Sequence, residues 1–111
     1  PSTQRLVRTD EKRIQNVSQL ANEINEHYRQ HDKPEKLSDF QKTRFADPVT
    51  GKPPEYTPKP PADYMVCTEF VTDGSKEDLT GILAFWNHPT GPKCFEFHAA
   101  EQVPPAPYFY R

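Results

Sequence analysis

The chain has 111 residues, 33% of them hydrophobic and 27% charged, and holds thirteen prolines, four glycines and two cysteines. Its formal net charge of −2 and pI near 6.1 lack the basic stripe by which nucleic-acid binders are recognised, and no apolar run approaches the roughly 20 residues of a membrane-spanning helix. The length allows one hydrophobic core, so a single domain over 1–111 is expected; the mean hydropathy of −0.94 makes that core small, with bulky Phe, Tyr and Trp side chains supplying much of its volume.

Residues 1–8 form a polar lead-in. Thr9 then stands where an N-cap belongs, with Asp10 and Glu11 placed where acids suit a helix dipole. Ile14, Val17, Leu20, Ala21, Ile24 and Tyr28 recur at spacings of three and four, one apolar stripe, while Gln15, Gln19, Asn22, Glu26 and Arg29 form the polar face. Pro34 pushes Lys33 out of the α region. The spacing predicts a helix over 10–31.

Residues 32–62 read as an extended, proline-rich connection. Ser38-Asp39-Phe40-Gln41 has the form of a capping box, which predicts a short helical turn near 39–45 with Phe40 and Phe45 as its anchors. Asp47-Pro48-Val49-Thr50-Gly51 reads as a turn. Six prolines then fall between Pro48 and Pro61, enough to hold the chain stiff and extended. Within them, Pro53-Pro54-Glu55-Tyr56 has the form P-P-x-Y and resembles the peptide ligands of WW domains. That resemblance implies two prolines stacked in a partner's aromatic groove and a tyrosine in the next pocket. The alternative is a strap along the protein's own sheet, with Tyr56 and Tyr64 as anchors.

Residues 63–100 read as a β-meander. Tyr64–Thr72, Thr80–Trp86 and Lys93–Ala99 are β-rich runs separated by turn-forming segments. Residues 101–111 form a proline-aromatic tail. The expected fold is α+β: one N-terminal amphipathic helix packed on a three-stranded antiparallel sheet, with long proline-rich extended segments. Alternation places Phe95 and Phe97 on one face of the last strand and Cys94, Glu96 and His98 on the other. A middle strand at 80–86 would be apolar on both sides, so a partner or the chain's own arms would have to cover the second face.

With a strand between them, Cys67 and Cys94 lie two strand spacings of roughly 4.8 Å apart, too far for a disulfide. Free thiols and an intracellular setting, cytoplasmic or in an organellar matrix, are therefore expected, and no signal-peptide pattern argues for secretion. Two sets of metal-ligand types occur. Cys94, Glu96 and His98 share a strand face, and Glu23, His27 and His31 share a helix flank. Each has a simpler explanation: a small buried cysteine beside a wet sheet edge, and histidines suited to a helix C-terminus. Neither metal nor cofactor is expected.

Phosphate loops and nucleophile elbows are absent, so no catalytic constellation is expected. The chain reads instead as a non-enzymatic interaction or accessory subunit of a larger protein assembly. Its expected contacts are Pro53, Pro54, Tyr56, Pro58, Pro60 and Pro61 in the strap and Tyr108, Phe109 and Tyr110 in the tail. A small metal-binding accessory protein, or an acidic inhibitor or regulator of a protein partner, are the alternatives. The second draws on residues 63–111, where three basic groups face seven acidic ones.

Overall fold

The computed structural model describes residues 2–31, 36–74 and 81–107. Helix α1 spans Ser2–His31 and α2 spans Asp39–Arg44, followed by strands β1 (Glu55–Lys59), β2 (Asp63–Phe70) and β3 (Gly91–His98), with a 3-10 helix at Gly81–Trp86 before β3. The strands form one antiparallel sheet in the order β1-β2-β3. The expected α+β fold, a helix on a three-stranded antiparallel sheet, is the observed one, although the start of the helix and the identity of one strand differ.

Helix α1 begins two turns earlier than its caps suggested. Thr9 does not cap it: the Thr9 hydroxyl donates to the carbonyl of Arg5, 3.0 Å away, inside a continuing helix. Asp10 and Glu11 are consequently mid-helix residues. The apolar stripe packs as its spacing requires, with Ile14, Val17, Leu20, Ala21 and Ile24 buried and Tyr28 packed at the margin. Removing each larger aliphatic from water contributes about 1.5–3 kcal/mol.

Helix α2 carries the expected capping box. The Ser38 side chain accepts from the Gln41 amide, and the Gln41 side chain accepts from the Ser38 amide. Only one of its two phenylalanines anchors it: Phe45 is buried, whereas Phe40 is 71% exposed. The turn at 47–51 is also as expected. Asp47 Oδ2 accepts from the amides of Val49 and Thr50, and Gly51 closes the turn at φ 72°, a left-handed conformation that favours glycine.

The third strand is not the run expected to form it. Residues 81–86 coil into the 3-10 helix, with Ile82 64% exposed and Trp86 fully buried. The proline-rich connection supplies β1 instead, pairing Glu55 with Cys67 and Lys59 with Asp63. Pro58 is tolerated there for a geometric reason. Cys67 and Cys94 are directly opposed with Cα atoms 4.0 Å apart, the close approach of a non-hydrogen-bonded pair. Cys67 therefore turns its N–H and C=O toward β1, and the alternation leaves Tyr56 and Pro58 with their backbone groups facing outward. A residue with no N–H loses no ladder bond at such an edge position.

The inner face of the sheet carries Tyr64, Val66, Phe70, Phe95 and Phe97, all buried, and meets α1. Trp86 and Phe85 close the aromatic core against Phe95 and Phe97, with ring centroids 5.0–6.3 Å apart. Residues 101–107 fold back on this core. Val103 is buried, Trp86 Nε1 donates to the carbonyl of Pro105 at 2.9 Å, and Asn25 Nδ2 donates to the carbonyl of Glu101 at 2.7 Å. No helix among the described residues is long and apolar enough to cross a membrane.

Candidate functional site

Two polar clusters hold the core together. Arg13 lies between two carboxylates: its Nη1 donates to Asp10 at 2.7 Å, and its Nε donates to Asp47 at 2.6 Å. Asp10 also accepts from the amides of Val71 and Thr72 and from the Thr72 hydroxyl. One buried guanidinium thus ties α1 to the 47–51 turn, while Asp10 fastens the end of β2. Hydrogen bonding from Arg13 holds the Asp47 carboxyl down at about 2, and the same bond from Asp47 raises Arg13. In the second cluster the fully buried Tyr64 hydroxyl donates to Asn25 Oδ1 at 2.7 Å, with the Ala21 carbonyl at 3.1 Å. Burial pushes that phenol well above its ordinary range, so it stays a neutral donor.

Against this scaffold the outer side presents a groove of about 510 Å³. The 45–55 segment forms one wall, the ends of β2 and β3 form the other, and Arg13, Asn16 and Val17 of α1 also line it. Val49 and Val71, 69% and 44% exposed, lie along it with Pro53, Pro54 and Pro92. Cys67 and Cys94 also line it, joined as a disulfide. This corrects the expectation of free thiols. With 81–86 withdrawn from the sheet, β2 and β3 are neighbours, and the two cysteines face each other across one strand spacing. Cysteine usage therefore gives no support to a reducing interior.

The disulfide also removes the first set of candidate metal ligands. Cys94 has no thiolate to offer, His98 faces Asp63 at 3.6 Å, and Glu96 pairs with Lys59 at 3.2 Å. In the second set Glu23 is held by Arg44 and Gln41, and the His27 and His31 rings pack against each other at 4.2 Å. Among the described residues no group of three or more His, Cys, Asp or Glu is arranged to hold a metal ion.

The strap residues separate into two groups. Pro53, Pro58, Pro60 and Pro61 are exposed and Pro54 is half-buried. Tyr56 turns to the inner face, half-buried with its ring 5.7 Å from that of Tyr64. Its hydroxyl is buried with no hydrogen-bond partner among the described residues, and burial raises its pKa. The tyrosine of Pro53-Pro54-Glu55-Tyr56 thus serves as an internal anchor in this structure. Tyr108, Phe109 and Tyr110 lie outside the described residues.

The polar clusters were invisible in the sequence because Asp10, Arg13 and Asp47 are ordinary surface types until long-range packing buries them. The Val71 and Thr72 amides, 61 and 62 residues from Asp10, leave no local pattern. The geometry defines a small α+β domain with a disulfide-floored groove beside an exposed proline edge strand. No protein-family model, curated protein or solved structure matches the chain.

Proposed function

We propose that the protein is a non-enzymatic interaction or accessory subunit of a larger protein assembly, and that the proline strap is its contact element. Support comes chiefly from the placement of that strap. It is fixed in the sheet as edge strand β1, with Tyr56 as its inward anchor, while Pro53, Pro58, Pro60 and Pro61 stay exposed. A segment that is already ordered and extended loses little entropy when a partner's aromatic surface closes over it. Residues 103–106 of the tail pack on the core through Val103 and the Pro105 carbonyl, and its expected contacts Tyr108, Phe109 and Tyr110 lie outside the described residues.

The test is recovery of a stoichiometric partner by the tagged full chain from its native extract, compared with a variant carrying Pro53→Ala, Pro60→Ala and Pro61→Ala. Loss of that partner with the fold intact by circular dichroism is the expected result. A partner retained equally by both chains contradicts the assignment of the strap.

A further inference from the structure

We propose that the Cys67–Cys94 disulfide is a thiol-exchange site, and that the Cys94 sulfur is the atom an incoming thiol attacks. Three observations carry this. The two cysteines differ in access: Cys94 is exposed on edge strand β3, whereas Cys67 lies on the central strand and is only 9% exposed. Both line an open groove in which apolar Val49, Val71, Pro53, Pro54 and Pro92 stand beside polar and charged side chains, among them Lys52, Glu55 and Glu69. The disulfide also sits on the face opposite the core. Val66 with Phe95 and Tyr64 with Phe97 pair on the inner side within an eight-residue register. A thiol therefore reaches the sulfur without opening the sheet, the circumstance in which a disulfide is labile rather than sequestered.

In the first step a thiolate forms a bond to Cys94 Sγ as the Cys67–Cys94 bond breaks. The electron pair leaves with Cys67 Sγ, which takes a proton from solvent. A second thiol then displaces the mixed disulfide, returning Cys94 as a thiol and releasing the oxidised thiol dimer. Two electrons pass from two thiols to one protein disulfide. The ligand class is a thiol, and the groove is where a small or protein-borne one is captured.

The probe is reduced glutathione in excess at about pH 8, where its thiolate fraction is useful, added to the oxidised full-length chain. Quenching with a maleimide is followed by peptide mapping. Glutathione on Cys94 with maleimide on Cys67 is expected to exceed the reverse by about tenfold, following the difference in sulfur access, at a rate unchanged by low urea. A Cys67→Ser variant treated with oxidised glutathione should hold the adduct on Cys94 stably. Equal or reversed labelling, no adduct, or attack that rises only with the urea-unfolded fraction would each overturn the proposal.

Discussion

The two faces of the sheet use the same three strands and are stabilised by different means. On the inner face, buried aromatics and aliphatics pack on α1, and two buried polar side chains there, Arg13 and Tyr64, are matched, whereas the Tyr56 hydroxyl has no partner among the described residues. Arg13 answers Asp10 and Asp47, and Tyr64 answers Asn25. On the outer face the cross-strand neighbours are exposed polar side chains, Lys59 with Glu96 and His98 with Asp63, plus one disulfide. A buried ion pair loses much when one partner is removed, since the other is left uncompensated. An exposed pair loses little, because water replaces the partner. The inner-side ion pairs accordingly carry more of the stability than the exposed pairs of the outer face.

Substitutions can break that contrast or sharpen it. The largest effect is expected from Arg13→Ala, which strands Asp10 and Asp47 in partly buried positions and should cost about 3–5 kcal/mol in urea unfolding. A cost below about 1 kcal/mol would place those carboxylates in water. Loss of the disulfide by the paired change Cys67→Ser and Cys94→Ser comes next. Opening a crosslink of sequence separation 27 should lower stability by about 3 kcal/mol through the freer unfolded chain, while the far-ultraviolet spectrum of the folded state stays unchanged.

Acid should reveal the Asp47 contribution. The unfolded carboxylate takes its proton near pH 4, whereas the folded one, held by Arg13, does so at about 2. Because the folded value is the lower, the stabilisation is present in full above the unfolded value and is lost as pH falls through the folded one. Unfolding midpoints measured between about pH 5 and 2 should decline by an amount equivalent to about 2 kcal/mol, and Asp47→Asn should remove that part of the slope.

Two neighbouring tyrosines then give opposite signs. Tyr64→Phe leaves the buried Asn25 carbonyl without its donor and should cost about 1–2 kcal/mol. Tyr56→Phe removes a buried hydroxyl with no partner among the described residues and should be neutral or slightly stabilising. The smallest effect belongs to Glu96→Ala. It breaks the exposed pair with Lys59 and should change the unfolding free energy by less than about 0.5 kcal/mol.

Local periodicity made part of this architecture legible. The Ile14 to Ile24 stripe, the Ser38–Gln41 capping box, the turn at Asp47 and the alternation of Tyr64, Val66, Phe95 and Phe97 are signals within a few residues, and each produced the element it implied. The identity of the third strand was not legible. Gly81-Ile82-Leu83-Ala84-Phe85-Trp86 has the apolar run of a buried strand, and period alone does not separate that from a short helical segment. Glu55-Tyr56-Thr57-Pro58-Lys59 holds a proline that argues against a strand, until its edge position is known. That single exchange moved Cys67 next to Cys94, turning two free thiols into a disulfide and removing one set of candidate metal ligands. The proline-rich segment was legible, whereas the groove beside it depends on contacts of Arg13 with Asp47 and of Asp10 with Val71 and Thr72 that no local window contains.

Amide hydrogen exchange tests this topology most directly, because the placement of β1 determines which way the prolines face and which cysteines meet. Slow exchange is predicted at the Thr57 and Lys59 amides, which face β2, with fast exchange at the outward Tyr56 amide. Protection across 82–85 combined with fast exchange at Thr57 and Lys59 would contradict it and restore the 80–86 run to the sheet.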